Sequence, residues 1–343
     1  MAEIKRQTEF DILRLLATLA VIMIHGGLNP LTDNLMIKYM YRGMHAAIVW
    51  CVPVFFMISG RFFLDPERDV SAKKILTVYI PHIIVPFLVW SGVYTAYGLI
   101  SGSYSHLSTF GVIAEFIHGP YHLWFLYSLA GLYLLTPILR KAAADEKTLA
   151  YFLIMFAAVN VVTQYLIYVP KIGGMISDFI ERTGLRAVTG YMGYFMLGYF
   201  LYSKKANMSK KTETAIYVIG ILMLIATIAA ECFISEELRK TDFVKQYMKP
   251  NVILYSAAIY AFFVMKISKI RYSERTRKVF AVFTECGFGV YCIHAILNEF
   301  VPTPVIKSLP LITSLLRVAC LYALSLALTW LIRKIPFVGK KIT

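Results

Sequence analysis

The chain has 343 residues, of which 58% are apolar and 16% charged. Soluble domains run nearer about 45–50% apolar and 25% charged, which excludes an ordinary cytosolic enzyme, a disordered chain and a secreted disulfide scaffold. Lys and Arg number 35 against 20 Asp and Glu, a formal charge of +15; such an excess fits either nucleic-acid binding or basic loops beside a membrane.

A membrane-crossing helix needs roughly 20 mostly apolar residues. Ten segments meet that pattern: 11–28, 44–64, 75–100, 120–139, 148–168, 185–202, 213–234, 250–268, 279–300 and 311–332. The first contains Arg14 and His25 and lacks a small-residue cleavage site, so it is expected to be retained rather than removed as a signal peptide. The third carries Pro81 and Pro86, which predict a kink. Segment 106–119 is too short to cross and reads as a re-entrant or surface piece. The sixth is rich in Gly and Tyr and is expected to pack closely inside the bundle. The expected fold is an all-α transmembrane bundle in one domain over 1–343, with no soluble domain in the connections.

Ten crossings place both termini on one side. Of the Lys and Arg residues, 23 fall in connections on the terminal side and 9 on the other. The positive-inside rule then puts both termini in the cytoplasm. Spread over short loops, this charge gives no support to nucleic-acid binding. The five cysteines lie in apolar segments without metal-ligand spacing and read as packing residues.

Ionisable residues inside a membrane helix are costly and point to function. Asp11, Arg14 and His25 share the first segment. Eleven residues at 100° each bring Arg14 and His25 to about 20° of one another, some 16 Å apart along the axis. The plain alternative is that Arg14 snorkels to one interface and His25 sits among headgroups at the other. Tyr291 and His294, three residues apart, share a helix face. No metal motif such as His-Glu-x-x-His occurs, and no Gly-rich phosphate loop.

Four sequence pieces together resemble membrane acyltransferase family 3. They are Asp11-Ile-Leu-Arg14 with ten residues before His25, Phe55-Phe56-Met57-Ile58-Ser59-Gly60, His122-Leu123-Trp124-Phe125, and Tyr291-Cys292-Ile293-His294. They stand in the family's order. Arg61 departs from it, since many relatives carry an aromatic or aliphatic residue after Ser-Gly.

The resemblance implies acyl transfer from cytoplasmic acyl-CoA, usually acetyl-CoA, to a hydroxyl of a glycan, sugar or lipid-linked cell-envelope intermediate in a bacterial plasma membrane. His25 is then the expected general base, with a transient acyl-histidine as a second route. Arg14 would bind a CoA phosphate, stabilise developing negative charge or hold Asp11. Arg61, Arg68, Lys73 and Lys74 form the basic mouth expected for CoA. Asp11, Ser59, His122, Trp124, Tyr291 and His294 are the expected substrate-side residues, although Ser59 also suits a close helix contact. The competing reading is a small-molecule transporter, for instance of an amino acid used in the cell wall, since a buried Arg–His pair and broken helices also suit passage.

Overall fold

The computed structural model describes residues 6–27, 34–234, 244–302 and 310–343. Lys5, Arg239, Lys240 and Lys307, four of the charges used to orient the chain, lie outside these. Among the described residues there are helices and no strands. In chain order they are α1 (Thr8–Gly26), α2 (Leu35–Ile48), α3 (Cys51–Phe63), α4 (Pro81–Ile100), α5 (Thr109–His118), α6 (Trp124–Ala144) and α7 (Glu146–Gln164). These are followed by α8 (Gly173–Arg182), α9 (Tyr191–Lys204), α10 (Lys210–Phe233), α11 (Pro250–Met265), α12 (Glu274–Phe300), α13 (Pro310–Arg333) and α14 (Gly339–Ile342).

Eight stretches among the described residues are long and apolar enough to cross a membrane. They correspond to eight of the ten expected segments. Helices α1 and α9 fall outside this set. Helix α1 has 19 residues but carries Glu9, Asp11 and Arg14. Helix α9 covers only part of the expected 185–202 span. It starts only at Tyr191, because Gly190 adopts φ +95° after the short turn Leu185–Val188, leaving 14 residues.

Two other boundaries differ. The second span begins at Leu35 rather than at 44, where the Asn34 side chain accepts from the Met36 and Ile37 amides. Its two helices, α2 and α3, meet at Val49-Trp50. In the third span Pro86 lies inside α4, and a π-helical turn, Ile75–Tyr79, stands just before Pro81. There the Ile80 amide reaches back five residues to the Ile75 carbonyl at 2.9 Å. Pro81 then takes the first position of α4, where a missing N–H costs nothing. His82 Nδ1 lies 2.5 Å from the Val78 carbonyl and caps this break. Segment 106–119 forms α5, ten residues capped by Ser108.

The chain divides into two compact units. One comprises Met1–Arg68 and Ile138–Ala281, the other Asp69–Pro137 and Val282–Thr343. In the first, α3 and α9 pack at backbone contact. A Cβ on Gly60 would stand 1.8 Å from the Phe195 carbonyl oxygen, and one on Gly198 2.1 Å from that of Met57. Small residues let membrane helices approach this closely. In the second unit, α4 packs on α5 and on α14, where Trp90 Nε1 donates to the Ile342 carbonyl at 2.8 Å. Its core joins Phe87, Trp90, Leu123, Leu126, Cys292 and Ile293. None of the five cysteines forms a disulfide; Cys51, Cys286 and Cys292 are buried, whereas Cys320 is exposed.

Candidate functional site

In the first unit, the beginning of α1 and the end of α3 bring cations together. Asp11, 3% exposed, receives Arg6 Nε at 2.7 Å and stands 3.7 Å from Arg14 Nη1. Arg14 also faces the Phe62 ring, 5.2 Å from its centroid. Arg61 and Arg68 lie against the same ring at 5.5 and 4.5 Å. Arg61 additionally stacks 3.4 Å over the Tyr202 ring of α9 and pairs with Asp65 at 2.5 Å. A guanidinium over an aromatic face is held electrostatically while its edge keeps donors for an anion.

The loop carrying Arg68 is fixed by Arg140, whose guanidinium donates to the Phe63, Asp65 and Arg68 carbonyls at 2.8, 2.8 and 3.0 Å. Three of the expected residues, Arg14, Arg61 and Arg68, therefore converge on Phe62. Lys73 and Lys74, the other two residues of the expected basic mouth, belong to the second unit. There Lys74 pairs with Asp69 at 3.4 Å and Lys73 is exposed. Sequence proximity within one connection did not translate into membership of one packed unit.

His25 occupies the last turn of the same helix, half-buried, at the end remote from the arginines. The continuous helix from Thr8 to Gly26 preserves the shared face of Arg14 and His25. Its neighbour Ile24 packs on a cluster of Val49, Val252 and Tyr255 that also takes in Trp50 and Tyr247. Tyr255 donates to the Ala46 carbonyl at 2.9 Å. Tyr191 stacks on Phe56 at 4.3 Å and lies 6.4 Å from Tyr247. Trp50, Tyr247 and Tyr255 carry no distinguishing signal in the sequence, whereas Tyr191 belongs to the Gly-Tyr run expected to pack closely. Ser59 is half-buried, and its neighbour Gly60 makes a close helix contact.

The second unit brings together a different group. His122 and His294 are 1% and 0% exposed, with ring centroids 5.1 Å apart. Tyr94, Tyr121 and Tyr291 surround His122 at 5.3, 5.4 and 5.6 Å. The Tyr291 hydroxyl donates to the His122 carbonyl. His294 Nδ1 lies 2.7 Å from the Tyr291 carbonyl, so Nδ1 carries the proton there and a neutral ring presents Nε2 as an acceptor. The shared face of Tyr291 and His294 is thus turned onto His122. Trp124 is half-buried and packs on Phe125 at 6.4 Å. Glu231 of α10 pairs with Lys245 at 3.2 Å. Among the described residues, no group of three or more His, Cys, Asp or Glu is placed to hold a metal ion.

The sequence model of acyltransferase family 3, an acyltransferase domain, matches residues 7–334. The chain belongs to acyltransferase family 3. Comparison with curated proteins and with solved structures returns no match. As a family 3 acyltransferase with eight helical stretches fit to cross a bilayer, it is a multi-pass membrane protein that uses an acyl donor. The matched range takes in both units and all four sequence pieces that resemble the family.

Proposed function

We propose that this acyltransferase moves an acetyl or other short acyl group from cytoplasmic acyl-CoA to a hydroxyl of a glycan, sugar or lipid-linked cell-envelope intermediate in a bacterial plasma membrane. The observation that carries the reading is the convergence of Arg14, Arg61 and Arg68 on Phe62, with His25 at the far end of the helix that bears Arg14. A diphosphate needs several charge-assisted donors, and three guanidinium groups supply them. Eleven residues of helix separate Arg14 from His25, about 16 Å, comparable with the reach of an extended pantetheine arm. The anionic end of CoA and its thioester then fit the two ends of α1. Lys73 and Lys74 follow in the same connection and draw the anion to that side. In this reading α1 and the stretch from Leu185 to the end of α9 complete ten crossings, with both termini cytoplasmic.

In the reaction, the acceptor hydroxyl oxygen attacks the thioester carbonyl carbon. The new C–O bond forms, the C–S bond breaks, and CoA leaves as a thiolate. His25 takes the hydroxyl proton and delivers it to that sulfur, so acid–base balance closes within one turnover. Asp11 holds Arg14 in position. Ser59 in the first unit, and separately His122, Trp124, Tyr291 and His294 in the second, are assigned to the substrate side, with His294 Nε2 able to accept from a sugar hydroxyl.

The test supplies labelled acetyl-CoA to the protein purified in detergent, together with simple sugars and lipid-linked glycans. Label in an alkali-labile ester on an acceptor supports the reading. Absence of acetyl-CoA binding and of transfer to every acceptor contradicts it.

A further inference from the structure

A basic cavity opens in the first unit, distinct from the arginines at Phe62. It measures about 320 Å³ and lies between the start of α1 and the connection from α11 to α12. Its walls include Arg6, Lys269, Arg271, Tyr272 and Arg277, with Glu9 as the one carboxylate. Lys269, Arg271 and Arg277 are exposed, Tyr272 is half-buried and Glu9 is 9% exposed. Four cations against one carboxylate favour an anion, and the half-buried ring offers a stacking face. This connection is the most basic of the chain, and orientation in the membrane alone does not require its cations to line a cavity.

Two contacts join the cavity to the arginine cluster. Asp11 binds Arg6, in the cavity wall, and also faces Arg14. Gln7, another wall residue, donates at 2.8 Å to the Tyr202 hydroxyl, and the Tyr202 ring carries Arg61. The surface therefore offers two cationic centres in succession, with one aromatic ring at the outer one. A 3′-phosphorylated adenosine diphosphate has the matching order of groups: a base, a 3′-phosphate, and a 5′-diphosphate one ribose away.

We infer that this cavity is the nucleotide subsite for the acyl donor, with Lys269, Arg271 and Arg277 on the 3′-phosphate, Tyr272 on the adenine, and the 5′-diphosphate passing to Arg14, Arg61 and Arg68. The inference rests on the acyl-CoA reading above and deepens it. It makes the enzyme selective for CoA over nucleotides without a 3′-phosphate, and it assigns a role to a connection that sequence read only as a membrane anchor. Glu9 supplies an acceptor for the adenine amino group or the ribose hydroxyl.

Calorimetry on the detergent-purified full chain tests this with CoA, 3′-dephospho-CoA and adenosine 3′,5′-bisphosphate. The wild type is expected to bind CoA about tenfold or more tightly than dephospho-CoA, as the loss of a charge-assisted phosphate contact implies. The bisphosphate is expected to compete with CoA. R271A/R277A removes the preference for CoA, and R271K/R277K retains part of it. Equal binding of CoA and dephospho-CoA by the wild type overturns the subsite and leaves the acyl-CoA reading standing. So does a CoA preference unchanged in R271A/R277A. Absence of any CoA binding by the wild type overturns both. The wild-type comparison needs no variant, so it decides even where a substitution disturbs folding.

Discussion

Arg14 and Arg61, from different helices, face one phenyl ring: their guanidinium carbons lie 5.2 and 5.5 Å from the centroid of Phe62. Arg68 joins them at 4.5 Å. Groups that address one anion do not act independently. Arg14→Ala and Arg68→Ala are each expected to weaken acyl-CoA binding about tenfold, the usual scale of a charge-assisted phosphate contact. The double variant loses less than the product of the two. Equilibrium binding of labelled acetyl-CoA to the three variants checks this, and strict additivity argues for two separate anion sites.

The contact between α3 and α9 predicts a stability effect rather than a catalytic one. A methyl group on Gly60 meets the Phe195 carbonyl at 1.8 Å, which neither backbone can accommodate without moving. Gly60→Ala is expected to destabilise by at least about 3 kcal/mol, the upper range for overpacking. Ser59→Ala, one residue earlier, leaves this contact intact. Thermal unfolding in detergent distinguishes them, and equal melting temperatures for the two variants contradict the packing account.

On the proposed assignment of the second unit's histidine pair to the acceptor, substitution there affects acceptor and donor differently. His294→Ala removes the bond from Nδ1 to the Tyr291 carbonyl and the ring facing His122. The expected result is a raised KM for the acceptor with unchanged CoA affinity. Tyr291→Phe deletes the hydroxyl that donates to the His122 carbonyl and is expected to cost about 0.5–1.5 kcal/mol, the net worth of one hydrogen bond. Steady-state kinetics with a fixed acceptor, combined with CoA titration, resolves the two effects.

Lys249 gives a pH signature outside the membrane-spanning segments. It directly precedes α11, is 0% exposed, and its ammonium donates to the Gln164 carbonyl at 2.6 Å beside the Tyr165 and Tyr168 rings. Burial pushes the Lys249 ammonium down to about 8, against about 10.4 for an unfolded lysine. Between those values the unfolded chain binds more protons than the folded one, so stability rises with pH. The difference in melting temperature between the wild type and Lys249→Met is expected to grow in favour of the wild type from pH 8 to pH 10. A difference that stays flat over that range contradicts the assignment.

Local signals in the sequence carried much of this molecule. Apolar run length marked eight helical stretches fit to cross a bilayer, and the spacing of Arg14 and His25 placed them on one face of what proved an unbroken helix. The features that escaped depend on backbone geometry or on distant contacts. Gly190 shortened α9 through a positive φ, and the Asn34 cap carried α2 into a stretch whose Lys38 and Arg42 read as a loop. Periodicity carries no information on how Phe62 gathers arginines from α1, α3 and the following loop. Nor does it show that the connection holding Arg61 and Lys74 passes from one compact unit to the other.

The most direct test of the central claim is acyl transfer by His25→Ala. Membrane vesicles carrying the wild type or the variant at matched abundance are given acetyl-CoA labelled in the acetyl group, and alkali-labile label in the membrane fraction is counted. A general base contributes about 10²–10⁴ in rate, so the variant is expected to fall at least a hundredfold while still binding acetyl-CoA. Undiminished transfer by His25→Ala contradicts the account.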